Sequence, residues 1–231
     1  MVGADRLTRQ AVVDKAIEVA DADGLGAVTV RRLAQELGVT PMALYWHFKN
    51  KELLLNAVAD HVLAEVTPEP DPSSPWADRL RIMAEALTTV LRRHPAMTGL
   101  FPALHKHQVD SFSRATEAAL GMLSEAGFSL EEGYLISSYL LNGVIALVET
   151  QQVGSVGMTP EERAECRRQK RLSLEALPPD RFPCMVAFGR ALDKEPDADA
   201  YYAFGIDLLL GGVEAMAAQR TPSTATQSSA R

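Results

Sequence analysis

The sequence predicts an all-α protein in two parts, a small N-terminal three-helix domain followed by a larger helical domain. Three observations predict it. Apolar residues recur at helical spacing along most of the chain, and no stretch shows the strict alternation of a half-buried strand. Helix-start signals, a Thr, Ser or Asn with Pro or Glu close behind, stand in front of many of these stretches. The proline-rich interval TPEPDPSSP, Thr67 to Pro75, separates a short N-terminal group from a longer one.

The first helix runs from Thr8, its cap, to about Asp23, with Gly24 as its stop and Val12, Val13, Ala16, Ile17 and Ala20 as its apolar stripe. Thr29 caps a second helix in which Val30, Leu33, Ala34 and Leu37 fall at i, i+3, i+4 and i+7. Gly38 sits where a left-handed residue ends a helix. Thr40 then caps a third helix with Pro41 at its first position, where a missing N–H costs nothing. Leu44 and Phe48, four apart, seat this helix on the second. Outward remain Arg31, Arg32, Thr40, Met42, Ala43, Tyr45, His47, Lys49 and Lys51. Two short helices joined by a glycine turn and carrying a positive outer surface form a helix-turn-helix, whose natural target is duplex DNA.

Asn50 caps a fourth helix whose Leu53, Leu54, Ala57, Val58, His61 and Val62 carry it to about residue 66. The N-terminal domain is thus expected over 1–55, and 67–75 is the loop between domains. Ser74 and Pro75 open a helix to about Arg93, broken by His94 and Pro95. A short segment to about Leu104 precedes a long helix to Glu125, with Gly127 as its stop. Ser129 and Glu132 make a capping box before a helix to about Val153, and Thr159 and Glu162 another before a charged helix to about Leu177. Pro178, Pro179 and Pro183 predict an irregular connection, and a last helix runs from about Asp197 to Gln219. The larger domain is therefore expected over 76–219. The tail 220–231 has no core-forming residues and is expected to be disordered.

Composition bounds the rest. A chain of 231 residues with 47% hydrophobic content fits two domains with a real core. No apolar run approaches the roughly 20 residues of a membrane span, so no membrane partner is expected. The N-terminal MVGADRLTRQ lacks the apolar core of a signal peptide, and Cys166 and Cys184 match no metal spacing. A cytoplasmic, nucleoid-associated protein with reduced thiols is expected. The net charge of −7 falls entirely outside the first domain, since residues 1–55 hold seven Lys+Arg and seven Asp+Glu. Residues 29–51 alone hold four basic side chains and one acid. The basic footprint is local, and the acidic remainder lowers non-specific DNA affinity.

From Arg9 to about Leu55 the chain resembles the DNA-binding domain of the Tet repressor (TetR/AcrR) family, most specifically in LYWHFKNKELLL, Leu44 to Leu55. A second resemblance, YAFGIDLLLGGVEAM from Tyr202 to Met216, is to the last helix of the Tet repressor's effector domain. The resemblance implies a ligand-responsive, homodimeric transcriptional repressor that binds double-stranded operator DNA and is released by a small-molecule effector. Under it, Thr29, Tyr45, His47 and Lys51, with Trp46 beside them, hold the phosphate backbone. Thr40, Pro41, Met42 and Ala43 face base edges; the last three cannot pair with a purine and can only pack on thymine methyl groups. Arg31 is then the one candidate for a strong hydrogen-bonded readout. Tyr45 and Trp46 could equally be core aromatics, and one of Arg31 and Arg32 merely a solvated charge.

The resemblance also implies an effector cavity in the helical bundle. Its candidate lining residues are Met83, Phe101, Leu104, His105, Phe112, Tyr139, Asn142, Ile145 and Glu149, most of which would be core on residue type alone. Asn142 and Glu149 stand out because a polar group on an apolar helix needs a partner when buried. The Tet repressor binds a magnesium–tetracycline complex through histidines and a glutamate. Here Thr67 stands where the family has a histidine, and His105 and His107, two apart, share no helix face, so no cofactor or metal site is assigned and a metal-chelated ligand is the lesser alternative. Gly143, Gly205, Leu209, Gly212 and Val213 are candidates for a four-helix dimer interface, although the same glycines would also suit close packing within one chain. An enzyme is not expected, for there is no phosphate loop, nucleophile elbow or paired metal motif. A ligand-binding helical protein that has lost DNA binding is the other class, and the basic Arg31–Lys51 face argues against it.

Overall fold

The computed structural model describes residues 7–68, 70–153, 158–192 and 197–220. Its helices are α1 (Arg9–Asp23), α2 (Val30–Glu36), α3 (Pro41–Tyr45), α4 (Lys51–Ala64), α5 (Trp76–Arg93), α6 (Asp110–Glu125), α7 (Leu130–Val153), α8 (Pro160–Glu175), α9 (Pro183–Ala191) and α10 (Ala198–Ala218). Tight 3₁₀ turns span Leu25–Ala27, Pro95–Ala103 and Lys106–Gln108. There is no strand among the described residues. The tail beyond residue 220 lies outside them.

The caps do what their residue types predict. The side chains of Thr8, Thr29, Thr40 and Asn50 accept the backbone N–H groups of Ala11, Arg32, Ala43 and Leu53, starting α1 to α4. Gly24, Gly38 and Gly127 have positive φ at the ends of α1, α2 and α6, a conformation that costs glycine little. Both capping boxes form: Ser129 and Glu132 exchange hydrogen bonds at the start of α7, and Thr159 and Glu162 at the start of α8.

Three expectations need correction. The helix before Gly127 begins only at Asp110, because the Lys106–Gln108 turn and an extended Val109 precede it. The connection after α8 contains α9, whose Pro183 sits at the first helical position rather than breaking the segment. And the stretch Leu130–Gln151 of α7 is, by length and composition, long and apolar enough to cross a membrane. Its Ser, Gly and Asn residues hid that in the sequence. In the fold, one face of α7 packs on α5, α6 and α10.

The N-terminal domain closes on Val12, Val13, Ala16, Leu33, Ala34, Leu44 and Phe48, all buried. On α4 the buried face is Leu54, Asn56, Val58, Ala59 and Val62, and Leu53 is turned outward. In the larger domain α7 and α10 run antiparallel, with Glu132 opposite Arg220, Gly143 opposite Leu209, and Leu147 opposite Gly205. A Cβ at Gly205 would collide with the Leu147 methyls, and one at Gly143 would meet the Leu209 methyls at 2.7 Å. Both glycines therefore serve close packing inside one chain. The α8–α9 pair packs on itself, and α8 buries none of its residues.

Two sets of contacts fix the small domain on the large one. His94, after α5, lies 2.7 Å from the Asp21 carboxylate of α1 and 3.7 Å from Glu65, which also pairs with Arg93 at 2.8 Å. On the other side, Glu52, Asn56 and Asp60 fall at i, i+4 and i+8 along α4 and form one polar edge. Against that edge lie His105, Gln108 and Ser111.

Candidate functional site

The reading surface follows from the caps. Thr40 and Pro41 start α3, Leu44 and Phe48 anchor it inward at 3% and 4% exposure, and Met42, Tyr45, Trp46 and Lys49 around them point out. Met42 is 68% exposed and Trp46 86%, so neither Trp46 nor the exposed Tyr45 is a core aromatic. Thr29, Arg31, Thr40, Pro41, Lys49 and Lys51 are exposed, and Ala43 and His47 half-buried. The helical turn after Tyr45 is short: α3 ends there, and Trp46 and His47 lie in the turn that leads to Phe48.

The two adjacent arginines are distinguished by their partners. Arg32 reaches Glu36 at 2.7 Å and Asp23 at 3.0 Å, and the Glu36 hydrogen bond and charge hold its guanidinium above the ordinary arginine value. It ties α2 to the end of α1. Arg31 has no ion-pair partner among the described residues and stands exposed beside Thr29. A sequence reading misses Arg9, whose guanidinium stacks on the Phe48 ring at 4.5 Å and covers the base of the reading head. Only three-dimensional proximity shows that pair.

The second feature is a cavity of about 350 Å³ between α4, α5, α6 and α7, a volume within the range of drug-sized ligand sites. Of the sequence candidates, Met83, Phe101 and Phe112 line it. Leu104 lines a separate void of about 10 Å³. His105 is turned away and pairs with Glu52. Tyr139, Asn142 and Glu149 lie on the exposed face of α7, and Ile145 is buried outside the cavity wall. Within one chain Asn142 and Glu149 are exposed, on the face that also carries Leu135 and Tyr139, and neither reaches the cavity. The wall face of α7 is instead Tyr134, Ser137, Ser138 and Leu141, one helical step round.

The cavity wall includes Leu80, Ala84, Leu87 and Val144 and is mainly apolar. It contains no Asp, Glu or His among the described residues, and Thr67 is indeed on it. No group of three or more potential metal ligands exists among the described residues. Among the described residues the wall offers a chelated divalent cation neither carboxylate nor imidazole.

Of the dimer candidates, Gly143, Gly205, Leu209 and Val213 are used within the subunit, Val213 being buried, while Gly212 faces open space. Beside Gly212, α10 exposes Phe204 (70%) and Leu208 (69%), and α7 exposes Leu135 and Tyr139 (72%).

Comparison with known proteins agrees with this geometry. Residues 12–58 match the model of "Bacterial regulatory proteins, tetR family", and residues 68–217 that of "Tetracyclin repressor-like, C-terminal domain". The tetracycline repressor protein class C of Escherichia coli is 30% identical over 224 residues, covering 92% of this chain and 93% of that one. The crystal structure of the TetR family protein ActR of Streptomyces coelicolor in complex with actinorhodin superposes with a TM-score of 0.77 at 28% identity, covering 92% and 99% of the two chains. That of BioQ with its natural double-stranded DNA operator gives 0.60 at 25% identity over 90% and 99%.

Proposed function

The chain belongs to the TetR family of bacterial regulatory proteins with a tetracycline repressor-like C-terminal domain, and from that premise we propose how it works. It is a ligand-responsive DNA-binding transcriptional repressor. α3 enters the major groove, Thr40, Pro41, Met42 and Ala43 face base edges, and Arg31 supplies the hydrogen-bonded readout. Thr29, Tyr45, Trp46, His47 and Lys51 hold phosphates and set the register. A second copy docks on the apolar faces of α7 and α10, giving the two-fold pair of reading heads that a palindromic operator requires.

The observation that carries the regulatory part is a single segment that serves both sites. Lys106, Ser111 and Phe112 line the cavity, while His105, Gln108 and Ser111 bond to Glu52, Asn56 and Asp60 of α4. α4 begins at Lys51, directly after the reading head. A ligand that repositions the 105–112 segment therefore moves α4, and it shifts operator affinity only by its difference in affinity for the two states.

The test is a mobility shift of the purified protein on the DNA upstream of its own coding sequence, against excess unrelated duplex. A specific, salt-sensitive shift is expected, reversed by compounds that enter the cavity. No enrichment of any sequence in a selection from random duplexes would overturn the DNA-binding reading.

A further inference from the structure

The cavity's charge pattern constrains the chemistry of a ligand that would fill it. Its wall carries just two charged side chains among the described residues, Lys106 and Arg114. Arg114 is committed within its own helix, pairing with Asp110 and donating to the Ser111 hydroxyl at 3.2 Å. Lys106 is half-buried and has no carboxylate partner among the described residues; its ammonium lies 5.6 Å from the centre of the Phe112 ring. An ammonium drawn toward an apolar space without a counter-charge is costly to desolvate further, and a ligand that fills the cavity would do that unless it brings an anion.

The hydroxyls on the opposite wall add a second constraint. Ser137 donates to the Gly133 carbonyl at 2.6 Å and Ser138 to the Tyr134 carbonyl at 2.8 Å. With their protons turned to the helix backbone, their oxygens present acceptors to the cavity. The remaining wall is aliphatic and aromatic, including Met83, Phe101 and Phe112.

We propose that the effector is a metal-free, largely apolar ring compound carrying one acidic group, with the acidic group on Lys106 and its ring system against Phe112. Hydroxyl donors on the ligand would face Ser137 and Ser138. This rests on the reading of the cavity as the effector site. It departs from chelate recognition because the described residues of the wall offer no carboxylate or imidazole to a cation.

The test uses two fluorescent probes with the same phenylnaphthylamine body, 8-anilinonaphthalene-1-sulfonate and the neutral N-phenyl-1-naphthylamine, on the intact protein. The sulfonate binds about tenfold more tightly than the neutral probe, the size expected of one charge-assisted contact. Lys106→Met removes that preference and leaves the neutral probe's affinity within about twofold, and Arg114→Gln leaves the preference in place. EDTA changes nothing. Equal affinities in the wild type, a preference that survives Lys106→Met, or one lost with Arg114→Gln would each overturn the assignment to Lys106. Binding that requires added magnesium would overturn the metal-free class. Ser138→Trp, which fills the cavity from a half-buried wall position, abolishes binding of both probes. If it leaves both unchanged, the effector-site reading itself fails, whatever Lys106 does.

Discussion

The backbone N–H of Ser111 donates to the Asp60 carboxylate at 2.8 Å, and the Ser111 hydroxyl donates to the Asp60 carbonyl at 3.2 Å. Ser111 is in the first turn of α6, whose own cap residue, Val109, has no side chain able to satisfy the free N–H groups there. Asp60 of α4 caps α6 from across the domain boundary. The cavity-lining helix therefore borrows its N-terminal stabilisation from the helix that carries the reading head.

Asp60→Ala should consequently weaken communication more than it weakens either site. Losing an N-cap costs on the order of 0.5–2 kcal/mol, and coupling between sites is typically about 1–3 kcal/mol. Operator affinity should stay within about twofold, while the effector concentration needed for release rises by about tenfold. Release titrations on operator DNA measure both, and an unchanged release midpoint would remove Asp60 from the transmission path.

Arg31 and Arg32 should separate cleanly. Arg31→Ala should cost about 1–3 kcal/mol at one base position and relax specificity there, in binding measured across a panel of single-base operator variants. Arg32→Ala should lower thermal stability slightly and leave the specificity profile alone, since Arg32 spends its donors on Glu36 and Asp23. Uniform weakening by Arg31→Ala would make it a phosphate contact instead.

Lys51, exposed at the first position of α4, should act on every sequence alike. Lys51→Ala should reduce the slope of log affinity against log salt by about one, as for loss of one phosphate contact. A loss confined to particular operators would contradict that role.

What was legible in the sequence was local. Caps and stops are short-range chemistry, so Thr8, Thr29, Thr40, Asn50, Ser129 and Thr159 mark true helix starts. The helix-turn-helix surface was legible for the same reason, because the buried partners Leu44 and Phe48 fix the orientation of everything between them. The cavity face of α7 was not. That helix is apolar nearly all round, so the sequence holds no phase, and Asn142 and Glu149 suggested an inward side that in fact faces away from the cavity. The role of Gly143 and Gly205 was open because small residues suit close approach to any neighbour, and only the positions of Leu209 and Leu147 decide it.

Acid stability should depend on the end of α10. Glu132 is held below its ordinary carboxylate value, first by hydrogen bonding from Arg220 and then by the Ser129 backbone. A depressed carboxyl contributes stability that is fully present above its unfolded value, near 4.5, and is lost as pH falls through the lower folded value. Arg220→Ala should therefore narrow the difference between wild type and variant as pH drops below about 4.5. Urea midpoints at pH 7 and pH 3 give the comparison, and a difference independent of pH would show that Arg220 acts through its packing on Phe128 alone.

The dimer face can be tested by contrasting neighbours on α10. Leu208 points to solvent and Leu209 packs against Gly143, although one residue apart they look alike in sequence. A charge at Leu208 meets only water in the isolated subunit, but in a dimer built on the exposed faces of α7 and α10 it would be buried without a partner. Leu208→Glu should thus give folded monomers by sedimentation, with helix content unchanged and operator affinity sharply reduced. Gly143→Val should do the opposite. Its added methyls would press on Leu209, costing about 1–3 kcal/mol of stability through overpacking while leaving the association state alone. A Leu208→Glu protein that sediments as an undiminished dimer would place the interface elsewhere, and the Phe204–Leu208 stripe would then need another partner.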